Sequence, residues 1–118
     1  MPYLRVSSGP LVSLLRRRVD TLRALGIGLS GGVLRRLAQE KGIPVNEDFC
    51  GIYDLSGNHP YGDLFKRFLI GLTDKGLVMC HPGYVDDELR AVDGLTDQRQ
   101  REFDFLSSEH VFESIPTI

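Results

Sequence analysis

The chain's 118 residues amount to one domain, enough for a modest core and well short of a typical complete barrel. With 42% hydrophobic and 25% charged residues its composition is that of an ordinary soluble protein, and no apolar run approaches the ~20 residues of a membrane span. The net charge of −2 conceals a division: residues 1–45 hold eight Lys and Arg against two acids, +6, and residues 46–118 hold six against fourteen, −8. Halves of opposite charge favour docking on each other or on another subunit, and the basic half favours an anionic partner.

The opening residues, Met1-Pro2-Tyr3-Leu4-Arg5-Val6, lack the long apolar region of a signal peptide, which predicts a cytoplasmic protein. Cys50 and Cys80 are too few for a disulfide framework and lack metal-binding spacing, so they read as reduced core thiols.

In chain order, Tyr3 to Val6 read as a short strand. Ser8-Gly9-Pro10 then suits a helix start, with Ser8 able to cap and Pro10 tolerated in the first turn. Leu11, Leu14, Leu15, Val19, Leu22 and Leu25 recur at helical spacing and predict an amphipathic helix stopped by Gly26. A second helix is predicted from Ser30 or Gly31 to Lys41, with Val33, Leu34, Leu37 and Ala38 inward and Gly42 and Pro44 closing it. Phe49-Cys50-Gly51-Ile52-Tyr53 reads as a buried strand. Asn58 is placed to cap a third helix, in which Leu64, Phe65, Phe68, Leu69 and Leu72 make one apolar face, and Gly76 ends it. Beyond Asp87 a polar, acidic loop is expected. Thr96 then caps a last helix to about Leu106, with Phe103 and Leu106 inward, before a short extended tail from His110. Helix alternating with buried strand points to an α/β fold.

The chain is organised around Leu77-Val78-Met79-Cys80-His81-Pro82-Gly83-Tyr84-Val85-Asp86-Asp87. Its short, unalternating apolar run reads as a strand buried on both faces, as in a parallel sheet. Pro82-Gly83 ends that strand, because proline lacks the ladder amide and glycine takes positive φ cheaply. His81 thus stands where a strand opens into a loop, the end of α/β sheets at which ligands and catalytic groups collect. An imidazole near Asp86 and Asp87 can act as general acid or base near neutral pH, and a structural cap for the loop is the competing reading.

Other patterns carry less. Gly26-Ile27-Gly28-Leu29-Ser30-Gly31 matches the dinucleotide-binding glycine pattern, but the residues before it read as helix rather than strand, so it is expected to be a flexible inter-helix link. Arg16-Arg17-Arg18 with Arg35-Arg36 could make an anion-binding face; without interleaved aromatics, a solvated or subunit-facing surface is favoured over nucleic acid. His59, His81 and His110 form no paired-ligand motif, and no serine sits in a Gly-x-Ser-x-Gly elbow.

Val78-Met79-Cys80-His81-Pro82-Gly83-Tyr84-Val85-Asp86-Asp87 resembles the His-Pro-Gly segment of the YdjC/ChbG family of carbohydrate deacetylases. Phe49-Cys50-Gly51-Ile52-Tyr53 upstream and Arg99-Gln100-Arg101-Glu102-Phe103-Asp104-Phe105-Leu106 downstream are similar to further family segments in the right order. The likeness spans roughly residues 45–108 and is weaker before that. The resemblance implies a distorted β/α barrel that removes the acetyl group of N-acetylated sugars such as chitooligosaccharides. It also implies a divalent metal, Mg or Zn, held by an Asp and two His. The family's amino-terminal Asp-Asp-Phe-Gly motif and its metal-ligand histidine segments have no counterpart here. The chain therefore resembles the carboxyl-terminal half of such a barrel, and no metal is expected for it alone.

Of the family's functional groups, His81 is the one carried over, to protonate the leaving amine or orient the substrate. Tyr84, Asp86 and Arg99 match the pattern as substrate-binding or loop-shaping residues. The expected partners are an N-acetylated sugar or oligosaccharide, once the site is complete, and further copies of the chain, because a half barrel has open strand edges. A non-catalytic oligomerisation or interaction module is the alternative, with anion or nucleic-acid binding by the arginine-rich half behind it.

Overall fold

A computed structural model describes residues 3–55, 60–94 and 96–115. The elements run α1 (Leu11–Arg17), α2 (Thr21–Glu40), β1 (Asp48–Cys50), α3 (Tyr61–Phe68), β2 (Gly76–Val78), α4 (Asp87–Val92), α5 (Asp97–Leu106) and α6 (His110–Ser114). The Asn58 cap, His59 and residues 116–118 of the tail lie outside the described residues. Two compact units emerge, Met1–Tyr53 with Arg67–Met79, and Asp54–Lys66 with Cys80–Ile118. The charge division follows them: the first carries ten Lys and Arg against five acids, +5, and the second four against eleven, −7.

In the first unit β1 and β2 pair in parallel, with Phe49 opposite Leu77. The strand read at Tyr3 to Val6 is a single parallel bridge, Leu4 to Val45. Beyond it the buried Asn46 side chain replaces the ladder, accepting the Val6 N–H at 2.8 Å and donating to the Val6 carbonyl at 2.9 Å. β2 is half-buried rather than covered on both faces. Gly51 follows β1 at φ +105°, and a Cβ there would fall 2.1 Å from the Met79 carbonyl oxygen. Only glycine allows that close approach.

The helix read from Leu11 to Leu25 is broken. Arg18 and Asp20 both take left-handed conformations, with φ of 51° and 41°, so α1 stops at Arg17 and α2 starts afresh at Thr21. Arg17 explains the stop. Its guanidinium is buried and forks onto the Asp48 carboxylate, while its Nε donates to the Ile70 carbonyl at 3.0 Å. The bidentate geometry satisfies both buried charges, which would otherwise be costly.

α2 runs straight through the glycine pattern expected to be a link. Ala24, Gly31 and Ala38 recur every seven residues and form its buried seam. At Gly31 a Cβ would meet the Ser7 backbone at 2.7 Å, so the helix lies close to the preceding chain there. Small residues, not the expected Val33, Leu34 and Leu37, face inward, and those three are exposed.

In the second unit Tyr61, Phe65 and Phe105 form an aromatic cluster with ring centroids 5.3–6.1 Å apart. The expected acidic loop after Asp87 is helix α4, because Asp86 accepts the Leu89 N–H at 2.8 Å and Asp87 and Glu88 suit the first turn. α5 begins where expected, but the Thr96 side chain makes no capping bond. Its buried residues are Gln98 and Glu102, while Phe103 is exposed. Part of the expected extended tail is the short helix α6.

Arg17→Met alone strands the Asp48 carboxylate in the interior and is expected to cost about 3–5 kcal/mol in urea denaturation, while adding Asp48→Leu recovers much of that loss. Equal stability of the single variant and the native chain would contradict a buried, mutually dependent pair.

Candidate functional site

The second unit builds a site from two segments that lie about 20 positions apart in the chain. Residues 81–86 run alongside α5, and every second backbone amide reaches that helix. His81 N–H donates to Glu102 Oε1 at 2.8 Å, Gly83 N–H to the Arg99 carbonyl at 3.1 Å, and Val85 N–H to Gln100 Oε1 at 2.9 Å. Burial alternates in step: His81, Gly83 and Val85 are half-buried, while Pro82, Tyr84 and Asp86 are exposed. The period of two is that of extended chain. Pro82 falls on the outward side, where its missing N–H costs nothing.

Glu102 is the fixed point of this arrangement. It is fully buried and aims its carboxylate at the loop. Burial, and then the Glu102 charge, push the Cys80 thiol above its ordinary value. Cys50 belongs to the other unit, where burial pushes its thiol up to about 12, with Arg17 opposing and Asp48 adding to the shift. Cys50 therefore stays a neutral core thiol at physiological pH.

The sequence-read residues fall as follows. His81 is half-buried, and its Nδ1 is buried with no hydrogen-bond partner among the described residues. Tyr84 is 73% exposed and sets its ring edge-on to Phe103 at 6.1 Å. Asp86 is occupied as the α4 cap rather than directed to the imidazole. Arg99 lies against Gly83 and places its Nε 3.0 Å from Asp93 Oδ2, a charge pair whose N–H is not aligned for a hydrogen bond. Glu102 and Gln100 are the functional positions missed as such. Gln98, Glu102 and Phe105 sit at i, i+4 and i+7, the spacing that would have marked a polar inward face.

The family model described as YdjC-like protein matches residues 1–116. The chain belongs to the YdjC-like family. No curated protein and no solved structure matches it. In this YdjC-like chain the His-Pro-Gly segment and the Arg99 to Leu106 segment are joined by hydrogen bonds, which gives their joint occurrence a physical basis. Among the described residues no three His, Cys, Asp or Glu side chains are gathered to hold a metal ion. His110 instead faces Glu113 across one turn of α6 at 3.3 Å. The described residues thus do not fit the Asp-His-His set that the resemblance implies. No helix among them is long and apolar enough to cross a membrane.

Glu102→Gln removes a negative charge beside Cys80 while keeping an acceptor for the His81 N–H. Part of the upward push on the thiol is then lost, so iodoacetamide should alkylate Cys80 faster at pH 8 than in the native chain. An unchanged pH–rate profile would show that the carboxylate does not act on that thiol.

Proposed function

We propose that this YdjC-like chain forms part of a carbohydrate deacetylase that hydrolyses the N-acetyl group of amino sugars, and that it contributes His81 to that site. The observation carrying this reading is the unpartnered, buried Nδ1 of His81 on a segment whose backbone is otherwise braced. A buried imidazole nitrogen without a partner costs free energy, and a substrate group or a substrate-bound water would satisfy it. In amide hydrolysis the C–N bond breaks and the amine must leave protonated, a task suited to a positioned histidine near neutral pH. Tyr84, exposed three residues on and set against Phe103, offers an aromatic face to a sugar ring, and Asp86 and Arg99 hold the segment in shape. The Mg or Zn ion that the resemblance implies would be held outside the described residues, within the other part of the barrel.

A second reading, a non-catalytic oligomerisation module, draws on α2. Its Leu22, Leu29, Val33 and Leu37 stand exposed at helical spacing, an apolar stripe that a second copy would cover. Light scattering is expected to show a homo-oligomer, and a monodisperse monomer would contradict that assembly.

The purified chain, given Mg or Zn and N-acetylglucosamine oligomers, is expected to be inactive. Supplied with the metal-binding part of a YdjC-like protein in trans, it should complete an active deacetylase in which His81→Ala lowers kcat by roughly 10²–10⁴. Full activity of that variant would overturn the catalytic role; loss of assembly instead would favour scaffolding.

A further inference from the structure

We infer that the first unit holds a ligand site of its own, an apolar cavity that takes a compact hydrocarbon group of aromatic-ring size. This goes beyond the deacetylase reading and does not rest on it. The cavity, a cleft partly open to solvent, measures about 190 Å³ and lies between α1, α2 and β1. Leu14, Ala24, Phe49, Ile52 and Phe68 supply its walls, and Ala24, Phe49 and Ile52 are also the buried centre of the unit's core. A well-packed core leaves few voids larger than a water molecule, so an apolar cleft of this size reaching the core residues is unusual. Apolar cavities of ~150 Å³ in other proteins stay dry and admit benzene.

Of the four polar side chains at the wall, Ser7, Ser8, Arg17 and Cys50, the last three are already engaged. Arg17 is spent on Asp48 and the Ile70 carbonyl. Cys50 lies 3.3 Å from the Phe68 carbonyl that its thiol bonds, and the Ser8 hydroxyl accepts from Arg35 Nε at 3.0 Å. A sugar would find its hydroxyls unmatched there and lose their water bonds on entry. Leu11 and Leu29, both largely exposed, border the cavity and leave it reachable from solvent. Its position also suits a ligand: Gly51 and Ile52 follow β1, and Ser7 to Gly9 follow the bridge at Leu4, so it lies off the carboxyl ends of parallel chain segments.

Gly28 provides the discriminating variant. It lines the cavity within α2, and a Cβ placed on it would meet no atom within 4 Å. Gly28→Leu therefore starts from an unobstructed Cβ and adds bulk at the cavity wall, and leucine is the better helix former.

The test uses the full chain with benzene as the probe, followed by methyl NMR and thermal unfolding. Benzene is expected to shift the Leu14 and Ile52 methyl signals saturably and to raise Tm, and Gly28→Leu to weaken uptake at least tenfold with its circular dichroism unchanged. Leu14→Ala, which enlarges the space, should accept naphthalene at least tenfold more tightly than the native chain. The proposal is overturned if benzene has no saturable effect on the folded native chain, if Gly28→Leu binds it equally well, or if N,N′-diacetylchitobiose competes for the same methyl signals.

Discussion

A single buried carboxylate sets the geometry of the candidate site. Glu102 is sealed from solvent on α5 and accepts the His81 N–H, fixing where the backbone of the His-Pro-Gly segment begins. Charge-assisted bonds of this kind are about twice as strong as neutral ones, and a buried acceptor deprived of its donor is costly. Once His81 is pinned, extended geometry brings Gly83 and Val85 to the same helix and turns Tyr84 and Asp86 outward. Asp86 then starts α4, so the segment is anchored at both ends. The imidazole is left with a buried Nδ1 that has no hydrogen-bond partner among the described residues.

The first unit uses the same physics for a different end. Its buried Arg17–Asp48 pair joins the end of α1 to the start of β1, and the left-handed Arg18 and Asp20 are the backbone's response to turning away directly afterwards. Left-handed backbone costs roughly 1–2 kcal/mol per residue for an arginine, less for an aspartate, and persists where surrounding contacts compensate. Those contacts leave an apolar cavity beside the pair and several leucines on the outer face of α2.

Much of this was legible beforehand, and the misreadings share a cause. Element types were readable where apolar spacing was strong: Phe49-Cys50, the Leu64-Phe65-Phe68 face and the start of α5 all stand close to where spacing places them. The family segments were legible because His-Pro-Gly and the Arg99 to Leu106 run are unusual as a set. What sequence spacing hid was polar burial. Arg17 inside α1, Asn46 standing in for a strand, and Glu102 on α5 are all residue types that spacing rules send to solvent. Glycines misled likewise. Gly26, Gly28 and Gly31 look like a breaker, yet α2 runs through all three: Gly31 lies against Ser7 in the buried seam, and a Cβ on Gly26 or Gly28 would meet no neighbour within 4 Å.

Amide hydrogen exchange across residues 81–86 tests the central claim, that α5 grips this segment through alternate amides, most directly. The expected pattern is slow exchange at His81, Gly83 and Val85 against fast exchange at Tyr84 and Asp86, with the His81 protection lost in Glu102→Ala. Uniformly fast exchange through the segment, with α5 itself still protected, would contradict the account.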